Sequence, residues 1–203
     1  MLFTSRLIGQ CTVLKGQVVA VFLTFLSLFV FSLPTQAIEI GVSGHQGTEY
    51  ETQGYSLFVT DNFSRRSPFY WRLGVSRYDE VFVEWNERNL KFPINFAEAS
   101  LSYRHQLTSR NLSMRRINME YQIGVTTSLT DNKFTWPEIN QEKYFSETGD
   151  INGFLAISAH YKVSSNVSAI MGVKHFPKMS EFGSISSVFL GVKFSFGQTG
   201  YGN

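Results

Sequence analysis

From Ile38 onward apolar and polar side chains alternate with a period of two, and no long stretch keeps apolar residues at the three- and four-residue spacing of a helix. The pattern predicts eight strands of roughly ten residues, the length that crosses a bilayer when tilted. They are read at 38–44, 54–63, 70–78, 97–107, 116–127, 152–163, 167–175 and 187–196. The fourth is the clearest. Ala97, Ala99, Leu101, Tyr103 and Leu107 face one way, Glu98, Ser100, Ser102, Arg104 and Gln106 the other, and His105 breaks the apolar face near its end. In the fifth, Ile117, Met119, Tyr121, Ile123 and Val125 stand opposite Asn118, Glu120, Gln122, Gly124 and Thr126.

A soluble sandwich or lipocalin-like barrel also alternates, but turns its apolar face inward. Here the polar face carries Glu39, Arg72, Glu98, Arg104, Glu120, Lys162, Lys174 and Lys193 mid-strand, among Gly and Ser. Small residues beside charges of both signs suit the packed interior of a narrow barrel whose oily face meets lipid. Connections sort the same way. Short links fall at 64–68, 108–115 and 164–166, and long ones follow the first, third (79–93), fifth (128–151) and seventh (176–186) strands. Short turns at one end and long loops at the other mark a membrane barrel. The expected fold is therefore all-β: an eight-stranded antiparallel up-and-down transmembrane β-barrel over residues 38–196. Tyr78, Phe82, Trp85, Phe92, Phe134, Trp136, Tyr144 and Phe145 gather where strands meet long loops, as an interfacial girdle or as loop-to-loop packing.

Residues 1–37 read as a secretory signal peptide. Arg6 and Lys15 precede an apolar run from Val18 to Leu33, Pro34 ends it, and Thr35 and Ala37 supply small residues at a cleavage site. Cleavage removes two bases, no acid and the single cysteine, Cys11, leaving 16 bases against 16 acids and no thiol or disulfide chemistry. That balance gives no reason to expect a nucleic-acid partner. Aromatics reach 15% and charged residues 17%, the latter below the roughly 25% of ordinary domains.

At its end the chain reads Val188-x-Leu190-x-Val192-x-Phe194-x-Phe196. With the architecture over 38–196 it resembles the small eight-stranded outer-membrane barrels: the transmembrane part of outer membrane protein A, outer membrane protein X and the lipid A deacylases. The resemblance implies location in the outer membrane and a final strand, with Phe194 and Phe196, that the barrel-assembly machinery reads. Contact with outer-membrane lipids and lipopolysaccharide, a monomer and no cofactor are expected as well. Residues 197–203 depart from the group as a Gly-rich extension, expected to be a flexible periplasmic tail.

Two constellations carry candidate chemistry. The first is a set of interior ion pairs: Arg104 opposite the Glu120 neighbourhood across a short turn, Glu39 beside Lys193 where the barrel closes, and Arg72 and Glu98 on the same face. Their expected role is structural, because enclosed charge must be matched. The second is His175, Ser180 and Glu181, a potential base, nucleophile and orienter. The deacylases carry such a set toward the membrane, with His and Ser two apart on one strand. Here the two are five apart, with Pro177 between them. The acidic loop 128–151 lacks cation-binding spacing, and His45 and His160 lack metal-ligand spacing, so no metal site is expected. The leading expectation is a structural or surface-interaction protein acting through its long outer loops. The alternative is a lipid A-modifying hydrolase.

Overall fold

The computed structural model describes residues 38–48, 52–64, 67–85, 88–108, 111, 114–136 and 141–196, the side chains of Arg88, Trp136 and Gln141 excepted. The segments read as signal peptide and tail lie outside the described residues.

Alternation drives the strands as read, five of them with longer reach and three shifted by one residue. They are β1 (Ile38–Gly47), β2 (Gln53–Asn62), β3 (Phe69–Trp85), β4 (Arg88–Gln106), β5 (Ile117–Ser128), β8 (Ile151–Lys162), β9 (Val167–Phe176) and β10 (Ile185–Phe196). All pair antiparallel, and β1 pairs with β10 to close an eight-stranded barrel. The first link is a correction. β1 runs on to Gly47 and β2 starts at Gln53, so this outer connection is as short as the turns at the other end.

The segment 79–93, read as a loop, is a second correction. β3 and β4 continue into it and reach total lengths of 17 and 19 residues, well beyond the roughly 9–11 that span a bilayer. The period breaks where the ladder steps from Tyr78/Ile94 to Val81/Phe92. Asp79 and Glu80 there oppose Pro93 alone, a bulge with Glu80 at φ 56° and a proline that needs no ladder hydrogen bond. The extra residue moves the inward position from Tyr78 to Val81, both buried. The segment 128–151 likewise holds a hairpin of its own, β6 (Asn132–Trp136) and β7 (Gln141–Ser146).

The barrel is built inside out. Leu101, Ile123, Leu155, Met171, Val188 and Leu190 stand exposed on its exterior, Ile123 at 62% and Leu190 at 69%. Arg104, Glu120, Lys174 and Lys193 are enclosed. A continuous apolar exterior on a closed barrel belongs in lipid. The lumen is filled in layers. Near the short turns lies a charged layer, above it Phe58, Ala156, Ile170 and Phe189, then a polar layer around Glu98, and at the outer mouth Tyr78, Val81, Ile94, Phe96, Phe154, Phe176 and Met179.

Inward glycines make room for the lumen aromatics. A Cβ on Gly124 would lie 2.5 Å from Ser100 Cβ and 2.6 Å from Phe154 Cζ. Gly124→Val should therefore cost about 1–3 kcal/mol in urea unfolding from lipid vesicles. Gly153→Ala, with nothing within 4 Å of the added carbon, should change it little.

Candidate functional site

The charged layer is organised by Glu120, which is fully enclosed. Arg72 Nη2 donates to one of its oxygens at 2.7 Å, and Arg104 Nε and Nη2 donate to the other at 3.0 and 2.8 Å. Arg104 also reaches Glu39 at 3.1 Å, and Lys193 Nζ lies 2.8 Å from the same carboxylate. Lys193 Nζ donates to His160 Nδ1 at 3.1 Å, which leaves Nε2 as the protonated ring nitrogen, 3.3 Å from Glu120. Arg72 and Arg104 additionally sit over the rings of Phe58 (4.2 Å) and Tyr70 (3.8 Å).

Glu98 belongs to the other polar layer and takes Lys174, on the opposite side of the barrel, as its ion-pair partner. Ser76 Oγ donates to it at 2.6 Å. Beside it, His45 Nε2 meets Ser56 Oγ at 2.7 Å, and Tyr78 Oη lies 3.2 Å from Nδ1. Register alone gives Arg104 opposite Glu120, since β4 and β5 form a hairpin. The pairings Arg72–Glu120 and Lys174–Glu98 skip strands, so strand neighbours do not reveal them. Their only sequence signal is the inward parity of each residue.

The three residues proposed for hydrolysis separate. His175 is exposed at the outer end of β9, and its Nδ1 meets Ser186 Oγ at 2.8 Å across the β9–β10 ladder. Ser180, at φ 45°, donates from Oγ to Asp150 Oδ2 (3.1 Å) and from its backbone to Asn152 Oδ1 (2.6 Å). The Glu181 backbone donates to the Phe145 carbonyl. Ser180 and Glu181 line an open cleft of about 650 Å³ between β7 and the loop after β9, and His175 is not part of its wall. No hydrogen bond links the three, so a nucleophile–base–orienter relay through them is not assembled.

Outside the bilayer the two hairpins are pinned by aromatic rings. Phe145 lies 5.2 Å from Phe92, 6.0 Å from Phe182 and 6.1 Å from Trp85, and Trp85 meets Phe134 at 5.9 Å. Tyr78 is in the lumen, and these rings form the core of an outer head. Exposed aromatics are more numerous at the opposite rim, as Phe63, Phe69, Tyr103, Tyr161, Phe194 and Phe196, with Tyr55 and Tyr144 exposed toward the outer end. In the head, a hydrogen bond from Lys133 holds the Glu142 carboxyl below its usual range. Its contribution is present above the ordinary carboxylate pKa and is lost as pH falls through the lowered one. Both groups are fully exposed, so the effect on stability is slight.

A closed eight-stranded barrel with an apolar belt, enclosed charges and an ordered head at one end defines a small outer-membrane β-barrel, and the outer membrane is its location. Among solved structures the chain is similar to the N-terminal β-barrel domain of OprF from Pseudomonas aeruginosa, with a TM-score of 0.55 and 11% identity over 79% of this chain and 98% of that one. It is also similar to the outer membrane protein Ail of Yersinia pestis in a phospholipid bilayer nanodisc, with a TM-score of 0.50 and 9% identity over 79% of this chain and 99% of that one. No family model and no curated protein matches the sequence.

Proposed function

We propose that this chain is a non-enzymatic surface-interaction protein, a sealed barrel that holds an acidic head outside the outer membrane. The observation that carries this reading is the charge of the head together with the aromatic packing that joins its two hairpins. Among the described residues, the side chains of the outer segments 77–92, 129–150 and 177–184 include eight carboxylates and five bases. Three of those bases are already matched within the head: Arg77 by Asp79 at 2.7 Å, Lys91 by Glu80 at 2.6 Å and Lys133 by Glu142 at 3.0 Å. Such a surface is poorly suited to clasp lipopolysaccharide phosphates directly. It suits a cationic external partner, whose approach its field would steer. Lipopolysaccharide and phospholipid then serve as the solvent of the belt, and the Phe194 and Phe196 strand serves as the signal for the assembly machinery.

The test uses the membrane-purified protein in nanodiscs and poly-lysine as probe. Binding is expected at low salt and should weaken at least tenfold when Glu80, Glu84, Glu142 and Glu147 are changed together to Gln. Equal binding by that variant would overturn the acidic-head reading. Lipid A from cells with and without the protein should have the same acylation. An acyl chain lost in its presence and restored by His175→Ala would overturn the non-enzymatic reading.

A further inference from the structure

The open cleft in the head is built from segments far apart in the chain. Its walls are β7, the turn at 147–150, the start of β8 and the loop after β9. At about 650 Å³ it falls within the roughly 300–1,000 Å³ of small-molecule sites. Ile151, 71% exposed at the outer end of β8, is part of the wall, so the cleft lies beside the rim of the barrel.

Two of its polar groups are held in fixed orientations. Asp150 Oδ2 accepts from Glu147 N at 2.9 Å and from Ser180 Oγ at 3.1 Å, which leaves Oδ1 open. Asn152 Oδ1 accepts from Ser180 N at 2.6 Å. A backbone N–H can only donate, so this bond fixes which end of the amide is oxygen. Asn152 is 5% exposed, and its Nδ2 has no partner. A buried donor in that state costs free energy until an acceptor arrives. Lys178 and Glu181, both exposed, extend the set, and neither side chain enters an ion pair among the described residues.

The mixture of signs selects the ligand class. A cation would meet Lys143 and Lys178, and an anion would meet Glu147, Asp150 and Glu181. Donors and acceptors line one space, and a hydroxyl satisfies both, since it donates to one and accepts from the other. Tyr144, 41% exposed, adds ring surface for the C–H face of a polyol.

We propose that the cleft binds a neutral pyranose unit, with Asp150 and Glu181 accepting from its hydroxyls and Asn152 and Lys178 donating to them. This site goes beyond the acidic-head reading and does not depend on it, because its ligand carries no charge. Sugar of this chemistry is offered from two sources, a free glycan outside the cell and the headgroup of an outer-leaflet glycolipid at the rim.

The experiment is calorimetric titration of the membrane-purified protein in phospholipid nanodiscs with a panel of neutral glycans. The panel holds oligomers of hexose, oligomers of N-acetylhexosamine, and lipopolysaccharide core oligosaccharide freed of acyl chains and phosphate. At least one member should bind, with an affinity that changes less than threefold between low and high salt. Binding by the hexose or hexosamine oligomers assigns the free glycan, and binding by the core oligosaccharide alone assigns the glycolipid. Lys178→Ala and Glu181→Ala should each weaken binding at least tenfold and leave the heat-modifiable gel mobility unchanged. Asn152→Asp keeps an acceptor for Ser180 N and removes the amide donor, and it should weaken binding to a similar extent. No binding by any member, binding that salt abolishes, binding untouched by all three variants, or a tri-lysine peptide that binds where no sugar does would overturn the proposal.

Discussion

Glu120→Gln is expected to lower the unfolding free energy of the barrel by about 3–5 kcal/mol, the cost of leaving enclosed cations without their carboxylate. Gln retains the shape and an acceptor oxygen but no charge. Arg72, Arg104 and Lys193 would remain in the same layer with Glu39 as its carboxylate. The loss should appear in equilibrium urea unfolding from lipid vesicles and as a lower temperature for the heat-modifiable gel shift. Adding Arg72→Gln should recover part of it, since the second change removes one surplus charge. That recovery is a positive coupling the two single variants do not predict by addition. A Glu120→Gln barrel as stable as the wild type would mean that water, not Glu120, solvates the arginines, and the ion-pair account of the lumen would fail.

Ile123→Arg is expected to cost about 2–4 kcal/mol in the same measurement, because a cation would then stand in hydrocarbon near mid-strand. Ile123 lies between Leu101 and Leu155 on the ladder, and all three are exposed. In water, an Ile this exposed could be replaced by Arg with an effect inside ±0.5 kcal/mol. The sign and size of this single change therefore separate a lipid-facing belt from a wet surface. Arg at position 133, where Lys133 already stands in the head, should be neutral in both cases.

These two positions also show what can be read from the chain without coordinates. Period two at 97–107 and 116–127 puts Glu120 and Ile123 on opposite faces. Charges among small residues then suggest which face is enclosed. The hairpin between β4 and β5 brings Arg104 to Glu120, and closure brings Lys193 to Glu39, because each pair sits on adjacent strands. Arg72 reaching Glu120 past β4, and Lys174 reaching Glu98, are not legible in this way. In a narrow lumen the partner is chosen by what meets at the axis, and that depends on closure and tilt rather than on neighbouring strands.

The head was hidden for a different reason. The bulge at Asp79 and Glu80 shifts the side-chain parity by one, so the continuing strands lose the alternation that reveals them, and Pro93 adds a loop-like residue at the same level. His175 and Ser180 look close in sequence, but the turn at Pro177–Gly183 redirects the chain, and Ser180 bonds to Asp150 and Asn152 instead of His175.

The sequence by itself determined the membrane-spanning parts of the eight barrel strands, their inward and outward faces and the outer-membrane class, because a two-residue period and the side-chain chemistry at each step are local properties. Only the tertiary structure decided which charges meet, where the loops become a packed head and that the proposed hydrolytic residues stay apart. Those outcomes depend on barrel closure, on one bulge and on aromatic contacts between segments far apart in the chain, none of which a local pattern encodes.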